Sequence, residues 1–220
     1  MYKKNFLSTF LCALMLIGCS ACSPELESEP TSDSQEPAPV VVDSGPSVDS
    51  TEPEEPDRSW VTWTDCGGAV GEHACDFTFK DQDDLDWSLY DQHGKLTLLD
   101  FSTMWCSVCN NIATKGNEFE AKYGQNSSGA VQFEWITVLI DDSTGGTVDL
   151  ADVQAWVNNY GINGTVLAGD RSIIDLTAAE GFPISSWPTL VLVGEEMEIL
   201  AGWRGWNESW VSTAIEEHLN

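Results

Sequence analysis

Trp105-Cys106-Ser107-Val108-Cys109 follows an apolar run at 96–101, Leu-Thr-Leu-Leu-Asp-Phe, and opens a helix-compatible segment spanning 107–123. A thiol at a helix start sits beside unpaired backbone N–H groups and the positive end of the helix dipole. Both favour thiolate, the nucleophile of disulfide exchange. The two-residue gap lets a second sulfur on the same turn attack a mixed disulfide formed by the first. A lone CxxC also serves as half of a zinc site, so spacing alone leaves both readings open. A strand before, a helix after and an aromatic upstream favour the redox one.

The first 22 residues read as an export signal. Lys3 and Lys4 form a positive start, and 6–17 is mostly apolar but too short for a comfortable membrane span. Leu16-Ile17-Gly18-Cys19 resembles a bacterial lipobox. That resemblance implies a signal peptide at 1–18 and lipidation of Cys19, and Ser20 after it leans toward the outer membrane. Residues 23–58 hold seven of the nine prolines and eleven acidic residues, with almost no large apolar side chains. Such a stretch cannot bury enough surface to offset its ordering entropy, so 19–58 is expected to be a disordered, extended tether. All ten tryptophans lie beyond it, which places the folded domain at 59–220. The formal charge of −27 excludes nucleic acid as a partner, since phosphate would be repelled over most of the surface.

Export sets the redox context, because disulfides persist outside the cytoplasm. Of seven cysteines, Cys12, Cys19 and Cys22 belong to the leader region. Cys66, Cys75, Cys106 and Cys109 remain, and the even count suggests the pairs 66–75 and 106–109. Cys66 and Cys75 bracket a glycine-rich loop and read as a structural disulfide, with a redox relay as the alternative. His73, His93 and His218 supply no ligand pair at metal spacing, so no metal site is expected. The run 81–86 lacks the glycine and the closing glutamate of a calcium loop and reads as an acidic turn.

Within the domain, Phe77 and Phe79 alternate with polar neighbours, and Trp87 and Leu89 suggest a partner strand across 81–86. Strands are expected at 96–101, 131–140 and 166–168. A helix capped by Asp149 carries Val153, Trp156, Val157 and Tyr160 and stops at Gly161. A short helix is expected at 173–179, a hairpin from 189–193 to 198–202, and a last helix from Asn207 or Glu208 to Leu219. This order implies an α/β fold with a mixed sheet flanked by helices.

Four features then resemble the thioredoxin superfamily. Trp105-Cys106-x-x-Cys109 matches its WCxxC, and Asp100 stands six residues before Cys106, where thioredoxin carries a buried aspartate. Trp187-Pro188-Thr189 precedes an apolar strand, as the family's cis-proline loop does. Gly202 stands where a glycine is usual before the last helix. The extra N-terminal hairpin and the helix inserted before the late hairpin resemble the exported TlpA-like branch, whose members often lack the aspartate.

The resemblance implies a thiol–disulfide oxidoreductase that needs no bound cofactor and exchanges disulfides with exported proteins and a further redox partner, as a lipid-anchored monomer. Cys106 is then the exposed nucleophile and Cys109 the resolving thiol, with Asp100 accepting its proton. Trp187 and Pro188, with Thr189, offer backbone and an apolar platform to substrate, and Trp105 flanks the site. Ser107-Val108 replaces the Gly-Pro of thioredoxin, and Asn110-Asn111 replaces a lysine beside the motif. Those departures leave the potential anywhere within about −270 to −120 mV. Competing readings are a peroxiredoxin-like peroxidase, with Thr103 three residues before Cys106 but Leu99 in place of that family's proline, and a non-catalytic binding module of the same fold. A copper-binding relative is set aside because its cysteine spacing differs.

Overall fold

A computed structural model describes residues 56–219. The expected leader, the lipidation candidate Cys19 and nearly all of the tether lie outside the described residues. Among the described residues no helix is long and apolar enough to cross a membrane.

Seven strands form one mixed sheet in the order β2-β1-β5-β4-β3-β6-β7. They are β1 (Thr78–Asp81), β2 (Asp86–Ser88), β3 (Leu96–Thr103), β4 (Phe133–Asp141), β5 (Thr165–Ala168), β6 (Thr189–Val193) and β7 (Ile199–Arg204). Central β3 is buried at every position. It runs parallel to β4 and antiparallel to β6, so both its edges are paired, and packed side chains cover both its faces. That is why it reads as an almost continuous apolar run instead of an alternating one. The expected N-terminal hairpin is β1–β2, with Phe79 opposite Trp87, and it joins the sheet through β5.

One face of β3 and β4, carrying Leu98, Phe133 and Trp135, packs with Phe119 and Tyr123 of α2 (Lys115–Tyr123) and Val211 and Ile215 of α4 (Glu208–His218). The other face, with Leu99, Phe101, Ile136 and Val138, is covered by Phe182, Met197 and the N-terminal aromatics. Fully burying each such side chain is worth about 1.5–3 kcal/mol. Beyond the end of β3, Leu139, Val153 and Trp156 pack with the two motif cysteines in a third cluster, brought there by α3 (Leu150–Tyr160). That helix starts in a capping box between Asp149 and Asp152 and ends at Gly161 in the left-handed conformation, as its sequence implies.

Two expected helices differ. The segment 107–123 is broken into α1 (Ser107–Ile112) and α2. Thr114, at φ −87° and ψ −7°, takes a turn geometry that interrupts the ladder. The helix expected at 173–179 is absent. A 3-10 turn at Arg171–Ile173 gives way to extended backbone at Ile174. The Asp175 carboxylate then accepts the N–H groups of Thr177, Ala179 and Glu180, offering the chain a local alternative to the helical ladder. The Thr177 hydroxyl, with the backbone N–H groups, holds that carboxyl down at about 2.

Cys66 and Cys75 are joined in a disulfide. Their loop is stitched to the body by Gly68 N–H to Ala178 O, Gly71 N–H to Ile199 O, and Ile199 N–H to Glu72 O. His73 stacks on Trp63 at 3.8 Å and His93 on Trp60 at 3.9 Å, so both histidines serve packing of the N-terminal aromatics.

Candidate active site

The end of β3, the start of α1 and the turn into β6 meet at the two free thiols. Cys106 caps α1, and its Sγ accepts the N–H of Cys109 at 3.3 Å. Both cysteines are thiols in this structure. Cys106 is 8% exposed and Cys109 is fully enclosed. The nucleophile expected to be exposed is therefore recessed, because Met104, Trp187 and the α3 cluster close around it. It is still the residue of the pair that solvent reaches. Burial, then the hydrogen bond with Cys106, pushes the Cys109 thiol well above its ordinary range.

Asp100 lies on β3, 1% exposed, and its Oδ1 accepts the Ser102 hydroxyl at 2.7 Å. Desolvation raises its carboxyl to about 7, and the Ser102 and Trp135 side chains only partly oppose this. The Thr103 backbone and then Ser102 draw the Cys109 thiol part of the way back down, while the Asp100 charge adds to its rise. The Ser102 hydroxyl is thus bonded to the buried acid and also bears on the buried thiol. The sequence reading named Asp100 and missed Ser102, since a serine two residues on carries no motif.

The Trp187–Pro188 peptide is cis. Trp187 is half-buried and packs against both the sheet core and the cysteine cluster, so it serves as core and as wall of the site together. Thr189 is buried, and its hydroxyl donates to Ser186 O at 2.7 Å, closing the proline loop. The glycine that meets this loop is Gly205. Its N–H donates to Pro188 O at 2.7 Å from a left-handed φ of 81°, whereas the expected Gly202 lies inside β7.

Trp105 flanks the thiols and is 48% exposed. Its indole N–H donates to Asp141 Oδ2 at 3.2 Å, and Arg171 holds the same carboxylate through two bonds of 2.9 and 2.6 Å. Neither Asp141 nor Arg171 was legible as a site residue, because 36 and 66 positions of chain separate them from Trp105. On the other side Asn110 bridges Met104 O and the Tyr160 hydroxyl, fixing α1 against α3. Arg171→Leu is expected to leave the buried Asp141 charge held by one indole, costing about 1–3 kcal/mol. Thermal unfolding reads that cost, and the Trp105 ring loses its fixed orientation in time-resolved fluorescence anisotropy. An unchanged melting temperature and unchanged anisotropy would remove the pair from the site.

A model of the AhpC/TSA family matches residues 70–200, more than half of the chain. Solved structures share the fold. The thioredoxin domain of a thiol-disulfide oxidoreductase from Bacteroides vulgatus is 20% identical with a TM-score of 0.54, over 69% of this chain and 99% of that one. A secreted thiol-disulfide isomerase from Corynebacterium glutamicum is 13% identical with a TM-score of 0.56, over 67% and 85%. The exposed lipoprotein thioredoxin Etrx1 from Streptococcus pneumoniae is 22% identical with a TM-score of 0.50, over 65% and 99%. The chain belongs to the AhpC/TSA family, and with a free CxxC dithiol in a thioredoxin-like fold it is a thiol–disulfide oxidoreductase.

Proposed function

We propose that this AhpC/TSA-family oxidoreductase works outside the cytoplasm as a TlpA-like lipoprotein, anchored through Cys19 and exchanging disulfides with exported proteins. The observation that carries the exchange chemistry is the unequal pair of sulfurs. Cys106 is recessed but keeps 8% of its surface exposed, while Cys109 is sealed behind it next to a buried acid. Acting as a reductant, Cys106 thiolate attacks a substrate S–S bond, forms a mixed disulfide and releases one substrate thiolate. The Cys109 proton passes by way of the Ser102 hydroxyl to the Asp100 carboxylate. Cys109 then attacks Cys106 Sγ, expels the second substrate thiolate and closes the 106–109 disulfide. Two electrons leave the dithiol, and the same steps in reverse oxidise a partner.

Export is supported by three things: the leader sequence, a closed Cys66–Cys75 disulfide in the same chain, and the likeness to a secreted thiol-disulfide isomerase and an exposed lipoprotein thioredoxin. The tether at 19–58 would let the domain meet substrates away from the lipid surface. The test is to produce the full chain in a Gram-negative host. The wild type is expected in the membrane fraction and Cys19→Ala in the soluble one. The reduced protein should speed disulfide reduction in insulin, and Cys106→Ser should fall to the buffer rate. Soluble wild type sinks the anchor, and an active Cys106→Ser sinks the chemistry.

A peroxidase reading has one specific observation in its favour. The Thr103 hydroxyl, three residues before Cys106, is fully buried with no hydrogen-bond partner. Consumption of hydrogen peroxide by the reduced chain, lost in Thr103→Val, would support it.

A further inference from the structure

Among the described residues, part of the outer edge of β7 has no strand paired to it. In an antiparallel ladder alternate residues turn their N–H and C=O toward the partner. Gly205 N–H goes to Pro188 O, so with Thr189 opposite Arg204 and Val191 opposite Gly202, it is Trp203 and Ala201 that turn to β6. Gly202 and Arg204 turn their backbone groups outward. Past the register shift between Leu192 and Val193, Ile199 also turns outward, and there the edge is filled by Gly71 and Glu72 of the disulfide loop. The loop stops short of Gly202, and the edge opens into a groove of about 460 Å³ bordered by Val70, Pro183, Val191, Trp203, Trp210 and Arg204. Val70 and Trp210 are large apolar side chains left exposed. A Cβ at Gly202 would touch nothing closer than Leu190 O at 3.7 Å, so the groove floor is open there.

The charge is as selective as the shape. Six of the seven Lys and Arg side chains among the described residues sit within 4 Å of a carboxylate. Arg204 is the one that does not, in a chain whose acidic residues outnumber its basic ones 36 to 9. Among the described residues, then, one cation has no carboxylate beside it and stands at an open strand edge, which offers a place there for a carboxylate. The groove also borders the proline loop of the thiol site. Thr189, which borders it, follows Pro188 directly, and Gly205, next after Arg204, holds the proline loop.

We propose that this edge docks an extended segment of the exchange substrate, pairing with the outward backbone of Gly202 and Arg204, seating an apolar side chain between Val70 and Trp210 and a carboxylate on Arg204. The substrate class is then a polypeptide with apolar and acidic residues in extended conformation a few residues from its reactive cysteine. Backbone pairing supplies affinity and the groove supplies choice. This rests on the exchange reading above.

The test uses the full-length chain and synthetic peptides whose single cysteine is activated as a mixed disulfide with thionitrobenzoate. Each peptide carries an arm of Val-Val-Asp-Val, Val-Val-Lys-Val or no arm, placed before the cysteine in one series and after it in another. In one series the acidic arm is expected to raise kcat/KM about fivefold over the lysine arm, the size of one partly exposed ion pair. Arg204→Glu should reverse the order. Gly202→Pro, which removes an outward N–H and leaves the β6 ladder, should abolish the gain, while the armless peptide reacts equally with all three proteins. Equal rates for both arms in the wild type overturn the proposal. So does a gain that survives Arg204→Glu, or a dimer in sedimentation whose edge is closed to every arm. So does a preference that emerges only after residues 23–55 are deleted, since the chain's own acidic stretch would then fill the groove. If even the armless peptide fails to react, the exchange reading fails instead. The groove is then decided by tryptophan fluorescence on titrating cysteine-free Val-Val-Asp-Val against Val-Val-Lys-Val: a response to the acidic peptide alone supports it, and no difference overturns it.

Discussion

Cys109→Ser is expected to convert a turning-over enzyme into a one-shot trap, with substrate held on Cys106 through a mixed disulfide. Cys109 is fully enclosed, its N–H is bonded to Cys106 Sγ and its thiol is perturbed by Cys106, so the two side chains are neighbours before any substrate arrives. A reactant held in place acts at an effective concentration far above any millimolar thiol in solution. Removing it should lengthen the life of the mixed disulfide about a thousandfold or more. Acid quenching, alkylation and intact-mass measurement would show one substrate equivalent per chain, released by dithiothreitol. Cys106→Ser should show none, because Cys109 has no path to an external disulfide. If Cys109→Ser turns over at the wild-type rate, resolution comes from outside and the paired-thiol mechanism is wrong.

Much of this geometry was legible along the chain, and the exceptions share a cause. The WCxxC after an apolar strand and the proline loop are local patterns, and each reads at its own position. The acid in β3 is legible for the same reason: a charged residue inside a run that must be buried on both faces stands out. Asp141 and Arg171 carry no such mark. Asp141 ends a strand, where aspartate is ordinary, and Arg171 reaches it across 30 residues from a 3-10 turn. The segment 173–179 misled because its apolar spacing suits a helix. The competing bonds to the Asp175 side chain are visible only once its neighbours fold back on it. Gly205 was passed over for Gly202 because the length of β7 cannot be read from its sequence. Only the bond from Gly205 to Pro188 shows where the strand ends.

Asp100→Asn should separate a cost in stability from a gain in chemistry. The carboxyl is raised from 3.8 to about 7 by burial, so the folded state binds the proton more tightly than the unfolded chain does. Stability from this group is therefore fully present below pH 4 and is lost as the pH climbs through about 7. The loss by pH 8 is about 4 kcal/mol at most. Asparagine never ionises, so the variant should match wild type near pH 4 and exceed it increasingly from pH 4 to 7, with the gap levelling off above that. Urea unfolding at pH 4, 6 and 8 would read it, and a constant difference would mean that Asp100 does not titrate in the folded protein. The same variant should resolve the mixed disulfide more slowly. Cys109 is held above its ordinary range, and Asp100, bonded to Ser102, is the acceptor proposed for its proton. Loss of a positioned base costs about a hundredfold or more. In the wild type the resolution rate should rise through pH 7 as Asp100 becomes a carboxylate. In the variant that inflection disappears, and the two rates converge only in strongly alkaline solution, where hydroxide deprotonates the thiol without help. Attack by Cys106 on an activated disulfide should be nearly the same in both. A variant that gains stability at pH 8 and still resolves at the wild-type rate would make Asp100 a buried burden with no part in proton transfer.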